Sequence, residues 1–228
     1  MNLTQLQKDI LKKQISSIQK WRNEPKQTTF KIDDIEIIVS PKVFSPKLDS
    51  VLLAKKMRIK PGELVLDTCA GTGIQTIYAS LVKKARMVYS CDINPFAVSN
   101  IKLNMQKYRL ENKVKVFKTN LFPETKVLFD VIVANPPYTD YKSKDVIEKS
   151  VWDPKHKTLI GLLKNSHKYL KQIGRMYISW ANFADFSLFE KLVKANKFNC
   201  KKIASDKDPE DHRIEYRVYE LTSSYLPR

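Results

Sequence analysis

Apolar and polar positions along the chain fall into a series of short, alternating elements. Leu3, Leu6, Ile10, Leu11, Ile15, Ile18 and Trp21 recur with helical spacing, which predicts one amphipathic helix over 3–22 with a Lys/Gln face. Two alternating runs, 28–32 and 35–39, flank Asp33-Asp34 and predict a hairpin. Val43-Phe44-Ser45-Pro46 then leads into a helix over about 47–58. From there apolar runs predict strands at 64–66, 87–90, 114–117, 130–133, 175–179, 199–204 and 215–221. Amphipathic helices are predicted between them at 74–82, 97–108, about 155–171 and 185–195. Strands separated by helices imply βαβ units, a mostly parallel sheet and helices on both faces. The polar run 205–213 has no helical pattern, so the last two strands pair as a hairpin and the final strand is antiparallel. Residues 139–153 are polar and weakly periodic and read as a loop. The expected organisation is an extension of helix and hairpin over 1–42, followed by an α/β domain over 43–228.

Composition narrows the class. The chain has 228 residues with 43% hydrophobic positions, enough to bury a sizeable core, which excludes disorder and fibre. The opening residues hold no continuous apolar stretch, and no run anywhere reaches membrane-spanning length, which points away from secretion and membrane insertion. Cys69, Cys91 and Cys200 form no CxxC pair and are odd in number, so neither a zinc site nor a disulfide framework is indicated, and a reducing cytoplasm fits. His156, His167 and His212 are scattered without ligand spacing and read as surface or helix positions, so no metal is expected.

Charge is the unusual feature. The net value is +17, with 41 basic residues against 24 acidic. Residues 61–141 carry 10 basic and 7 acidic groups, whereas 1–60 carry 13 and 6, and 142–228 carry 18 and 11. The excess therefore lies outside the central stretch, and it fits either a nucleic acid or an acidic protein as partner. A Lys-rich solvated surface explains the same numbers.

Candidate chemistry lies in that central stretch. After the first α/β strand the chain reads Asp67-Thr68-Cys69-Ala70-Gly71-Thr72-Gly73 and then enters a helix. Gly71 and Gly73 permit a tight turn and close ligand approach, and a helix N-terminus presents free N–H groups. Asp92 ends the next strand, 19 residues after Gly73, where an acid can accept both ribose hydroxyls of an adenosine. Thr76 stands where a dinucleotide fingerprint has its third glycine, and no Gly-Lys-Ser/Thr follows, so a ligand without pyrophosphate suits the loop better. S-adenosylmethionine meets that description.

A second group closes the fourth α/β strand: Asn135-Pro136-Pro137-Tyr138. Parallel sheets bind ligands at this carboxyl edge. The Asn135 side-chain oxygen and the Pro136 carbonyl can both accept from one NH2 group, and Tyr138 offers a flat face. This set suits a conjugated nitrogen, either an amide or an exocyclic base amine, whose lone pair must be freed before it attacks a methyl group.

The segments VFSPKLDSVLLA, VLDTCAGTGIQ, CDINPFAVSNIKLN and FDVIVANPPY resemble class I S-adenosylmethionine-dependent methyltransferases with an Asn-Pro-Pro-Tyr signature. The chain is most similar to the HemK-like release-factor glutamine methyltransferases and to the small-domain rRNA guanine methyltransferases. KYLKQIGR at 168–175 resembles the turn before strand five of that family. The resemblance implies a Rossmann-like, doubly wound, seven-stranded sheet with its last strand antiparallel. It implies that Asp67, Cys69, Ala70, Gly71, Thr72 and Gly73 form the cofactor loop, that Asp92 binds ribose and Ile93 packs on adenine. Asn120 and Leu121 would sit beside the adenine, and Asn135, Pro136, Pro137 and Tyr138 would hold the substrate nitrogen, with Asn135 also bordering the cofactor. Three departures stand out: Cys69 replaces the usual first glycine, Asn120 replaces an acid, and only a short extension precedes Phe44 in place of a separate helical domain.

The expected function is an S-adenosylmethionine-dependent N-methyltransferase acting on a protein glutamine. The alternatives are a methyltransferase acting on an RNA or DNA base nitrogen and one acting on a small molecule. A non-enzymatic relative is disfavoured by the intact 135–138 set. Trp152 reads as a packing anchor more readily than as part of a lid, Tyr141 as a residue near the site more readily than as a second aromatic contact to it, and Lys47 as close to the pocket without a catalytic role.

Overall fold

In a computed structural model, residues 3–224 are described. Helix α1 (Gln5–Asn23) starts on a capping box, in which Gln7 N–H donates to Thr4 Oγ1 and Thr4 N–H to Gln7 Oε1. Strands β1 (Thr28–Ile32) and β2 (Ile35–Val39) form the expected hairpin, with Asp33 in the left-handed turn region. The α/β series follows: α2 (Leu48–Lys56), β3 (Leu64–Thr68), α3 (Ile74–Leu81), β4 (Met87–Asp92), α4 (Pro95–Lys107), β5 (Val114–Lys118) and β6 (Phe129–Ala134). It ends with α5 (Lys157–Asn165), β7 (Leu170–Ala181), α6 (Phe186–Ala195), β8 (Phe198–Lys207) and β9 (Glu215–Ser223).

The large sheet has seven strands in the order β5-β4-β3-β6-β7-β9-β8. Pairings from β5 to β7 are parallel, and β9 runs antiparallel to both neighbours, as the polar run at 205–213 predicts. Strand order reverses between β3 and β6. The crevice outside the carboxyl ends of those two strands is the ligand position of a doubly wound sheet.

Two elements depart from expectation. The helix predicted over about 155–171 stops at Asn165, with 3-10 turns at Pro154–His156 and Ser166–Lys168 on either side. Strand β7 correspondingly begins at Leu170 instead of Arg175. The cause is long-range: Phe129 N–H donates to Tyr169 O at 2.7 Å, and Lys171 pairs with Asp130 at 2.8 Å, drawing the chain into the sheet early. Local helical pattern loses to strand pairing there.

The central strands are buried on both faces. Leu66, Ile132, Val133, Tyr177 and Trp180 join one core that also takes in Ile10 of α1 and Ile37 of β2. Each such fully buried side chain contributes roughly 1.5–3 kcal/mol. A smaller cluster joins Ile18 of α1 to Ile147, Val151 and Trp152, with Trp21 and Phe44 packed against it. Arg22 reinforces that junction through Asp145 at 2.7 Å and Glu148 at 2.9 Å.

The hairpin is fastened by α4. Asn104 Oδ1 accepts from Ile38 N–H, and Asn100 Oδ1 from Ser40 N–H. Both Nδ2 groups donate to Thr72 O as well as to Ile38 O. The two buried asparagines thus tie the hairpin to the glycine-containing loop after β3.

Candidate active site

The loop after β3 takes three left-handed residues in five positions: Cys69 (φ +58°), Gly71 (φ +56°) and Gly73 (φ +80°). Cys69 occupies a conformation that favours glycine, so the side chain is carried at a cost of about 1–2 kcal/mol. Ala70 N–H bonds Cys91 O at 3.1 Å, which pins the loop to β4. Asp92, at the end of β4, receives Gly71 N–H on Oδ2 and Asn94 N–H on Oδ1, each at 2.8 Å. Burial pushes its carboxyl above the ordinary carboxylate value, and these N–H donors oppose the push.

Asp67 and Gly73 stand apart from the other expected site residues. Both lie behind the loop and do not border the cavity. The buried Asp67 carboxylate accepts from Thr76 Oγ1 at 2.6 Å, and Thr76 Oγ1 also meets Ser90 Oγ at 2.7 Å. The residue that replaces a third glycine is therefore a hydrogen-bonding tie between α3, β3 and β4. Burial lifts Asp67 to about 7. A Cβ on Gly73 would meet Ile101 of α4 at 3.2 Å, so this glycine permits close helix packing.

A cavity of about 490 Å³ opens at the carboxyl ends of β3, β4 and β6. Cys69, Ala70, Gly71, Thr72, Asp92, Ile93, Asn120 and Leu121 border one part of it, and Asn135, Pro136, Pro137 and Tyr138 another. The sheet thus brings the two sequence motifs to one space. Ile93 is partly exposed, and the Asn120 side chain is exposed at this edge. Thr68 Oγ1 donates to Leu121 O at 2.6 Å and fixes that edge. A Cβ built on Gly71 meets nothing within 4 Å, so the space beside this backbone is open to a ligand.

At the other end the amide of Asn135 is fully engaged. Its Nδ2 donates to Asp49 Oδ2 at 3.2 Å and Ser50 Oγ at 3.1 Å. Its Oδ1 lies 2.5 Å from Tyr138 Oη and also receives the Ser179 hydroxyl. Tyr138 is 7% exposed, packs edge-on against Trp180 and Phe183, and turns its hydroxyl toward Asp49 and Ser179. Burial, with Asp49 nearby, holds the Tyr138 phenol well above its usual range.

Sequence reasoning missed part of the wall. Gln14, Ser17 and Trp21 of α1, with Phe44, Asp49, Ser50, Phe183 and Tyr216, also border the cavity. Asp49 was visible as a lone acid in an apolar run, and Ser179 as the one small polar residue in the buried strand YISWA. Residues 139–153 form the expected irregular segment. Trp152 is both an anchor in the smaller cluster and part of the cavity wall, and its Nε1 donates to Gln14 Oε1 at 3.0 Å. Tyr141 packs on Trp152 but borders a neighbouring pocket instead. His156 keeps a helical position, in the 3-10 turn Pro154–His156 that leads into α5, but it is not at the surface: it is 7% exposed.

The rim is basic. Lys47, Lys149 and Lys157 are exposed at the cavity and take part in no salt bridge among the described residues. No His/Cys/Asp/Glu group among the described residues could hold a metal ion, and no described helix is long and apolar enough to cross a membrane.

The methyltransferase small-domain family matches residues 34–206. A Methanocaldococcus jannaschii protein provisionally assigned as a protein N5-glutamine methyltransferase is 35% identical over 118 residues, 51% of this chain and 58% of its own. Ribosomal RNA small subunit methyltransferase C of Psychromonas ingrahamii is 30% identical over 158 residues, 65% of this chain and 44% of its own. The chain therefore matches about half the length of these curated relatives. A T. thermophilus 16S rRNA N2 G1207 methyltransferase, solved with AdoMet and guanosine, superposes with a TM-score of 0.63 at 18% identity, covering 87% of this chain and 50% of that one. At that identity the likeness is one of fold.

Proposed function

Since the chain belongs to the methyltransferase small-domain family, we propose that it is an S-adenosylmethionine-dependent N-methyltransferase whose acceptor is the side-chain amide of a protein glutamine. The observation that carries this reading is the single cavity bordered by both the Gly71–Asp92 region and Asn135–Tyr138. Gly71 leaves open space where a Cβ would stand, and Asp92 places a carboxylate at the end of β4, so the residues present fit the cofactor. That cofactor supplies a methyl group on a sulfonium centre.

The residues of the chain would do the rest. Asp92 would take the ribose hydroxyls, Ile93, Asn120 and Leu121 the adenine, and Cys69, Ala70, Gly71 and Thr72 the remaining cofactor surface. Asp67 and Gly73 would support that loop from behind. Asn135 Oδ1 and the Pro136 carbonyl would accept the two hydrogens of the planar nitrogen and draw its lone pair out of conjugation. Positive charge grows on that nitrogen during transfer, so both acceptors bind the transition state more tightly than the ground state. Residues 1–42 would serve as a substrate-facing extension of the catalytic domain at 43–228, since α1 borders the cavity. Three unpaired cysteines fit work in a reducing cytoplasm.

A second reading, an RNA base amine as acceptor, is favoured by Lys47, Lys149 and Lys157 at the rim, which are exposed and form no salt bridge among the described residues. Tritiated S-adenosylmethionine and an extract of source cells lacking the enzyme decide between them. Transfer to glutamine leaves label in protein through nuclease treatment, and acid hydrolysis then releases it as methylamine. Label lost to nuclease supports RNA instead. Asn135→Ala should abolish transfer and keep S-adenosylhomocysteine binding; undiminished transfer by that variant would overturn the assignment of Asn135.

A further inference from the structure

Asp49 is 4% exposed and forms no salt bridge among the described residues. A buried carboxylate without a cation must be held by donors. Here Oδ1 accepts Ser50 N–H at 2.7 Å and Ser50 Oγ–H at 3.2 Å, and Oδ2 faces Asn135 Nδ2 at 3.2 Å and Tyr138 Oη at 3.0 Å. This fixes the Asn135 amide. A flipped amide would set its oxygen against the carboxylate, so Oδ1 must face Tyr138 and Ser179.

The proton count then matters. Tyr138 Oη lies 3.0 Å from Asp49 Oδ2, 2.5 Å from Asn135 Oδ1 and 2.8 Å from Ser179 Oγ, and it has one proton to give. The Ser179 hydroxyl reaches either Asn135 Oδ1 or Tyr138 Oη, again with one proton. With both protons on Asn135 Oδ1, its lone pairs are filled and a substrate N–H finds no acceptor. With the relay Ser179 to Tyr138 to Asp49, the same oxygen is bare. An ionised acceptor binds a hydroxyl more strongly than an amide does, and hydrogen bonds in a chain reinforce one another. The phenol is held in its protonated form by burial, so it remains a donor.

We propose that Asp49 is a positioning residue of the transfer site, whose carboxylate draws the Tyr138 and Ser179 protons toward itself and leaves Asn135 Oδ1 open to the substrate nitrogen. This rests on the role given to Asn135 above. No proton leaves the chain in this step; two hydroxyls only reorient.

The test uses the full chain, tritiated S-adenosylmethionine and the extract fraction that takes up label. Asp49 accepts four donors, and Asp49→Asn replaces one acceptor oxygen with a donor. Its kcat should fall roughly tenfold or more, while S-adenosylhomocysteine affinity changes by less than about twofold. Tyr138→Phe removes the proton that Asp49 captures, so Asp49→Asn should cost a smaller factor in that background than in the wild type. The wild-type Asn135 side-chain amide should show slow hydrogen exchange by NMR, lost in Asp49→Asn. Should Asp49→Asn not melt cooperatively, Asp49→Ser, which keeps an acceptor without charge, should lose the same kcat. Wild-type kcat in these variants, or strictly multiplicative effects with Tyr138→Phe, would overturn the proposal while leaving Asn135 in place. Undiminished transfer by Asn135→Ala would instead remove the reading beneath it.

Discussion

Asp67→Asn should make the protein more stable above neutral pH and leave it unchanged in acid. The Asp67 carboxyl has an ordinary value of 3.8 in the open and is lifted to about 7 in the fold, first by burial and in smaller part by the charge of Asp92. The folded chain thus keeps this proton over a range in which the unfolded chain has released it. Between about pH 4 and pH 7 the native state binds more protons, so stability falls as pH rises. The full benefit of the proton is present below the unfolded value and gone above the folded one. At about 1.4 kcal/mol per pH unit the loss approaches roughly 4 kcal/mol, an upper bound for one site. Asparagine reproduces the protonated acid: Oδ1 can accept Thr76 N–H and Nδ2 can donate to Thr76 Oγ1, whose own proton passes to Ser90 Oγ at 2.7 Å. Thermal unfolding followed by circular dichroism at pH 5 and pH 8 measures the effect. The variant should gain roughly 10 °C over the wild type at pH 8 and roughly 4 °C at pH 5, where only about 1.6 kcal/mol has been lost. Parallel pH profiles for the two proteins would show that Asp67 titrates normally, and the reasoning from burial would fail.

Other perturbations separate neighbouring roles. Gly71→Ala sets a methyl group in the open cavity at φ +56°, and should lower S-adenosylhomocysteine affinity at least about tenfold by calorimetry, for about 1 kcal/mol of stability. Gly73→Ala, at φ +80° and 3.2 Å from Ile101, should cost about 2 kcal/mol in urea unfolding and less affinity; the reverse ranking would contradict the placement of the two glycines. Trp152→Ala removes a cavity wall and the bond to Gln14, so acceptor KM should rise in steady-state assays while cofactor affinity holds. Arg175→Met strips Glu63 of its 2.8 and 2.9 Å partners and loses the bond to Arg58 O. It should lose about 2–3 kcal/mol by urea midpoint, and Arg175→Lys should restore little because one ammonium cannot replace a forked donor.

The fold was legible because its elements are coded locally. Alternation across 28–39 sets the hairpin, and βαβ periodicity with a polar run at 205–213 sets the antiparallel last strand. The exception follows the same logic: residues 166–171 carry a helical pattern, and only Phe129 and Asp130, some 40 positions away, pull them toward the sheet. The site divides likewise. Asn135–Tyr138 is one contiguous string at the end of β6, the other half is three short strings at the ends of β3, β4 and β5, and topology alone brings them together. The rest of the cavity wall is different. Its pieces come from α1, from Phe44–Ser50, from the 139–158 segment, and from Phe183 and Tyr216, and none of these carries a pattern that announces the others. The hydrogen-bonded set around Asn135 shows the limit most clearly, since Asp49 lies 86 positions before it and Ser179 lies 44 after it. Chemistry that needs a strand end and its turn can be written in ten residues. Selection of an acceptor needs a surface assembled from the whole chain, and the three exposed lysines on that rim acquire meaning only once the fold has set them around one opening.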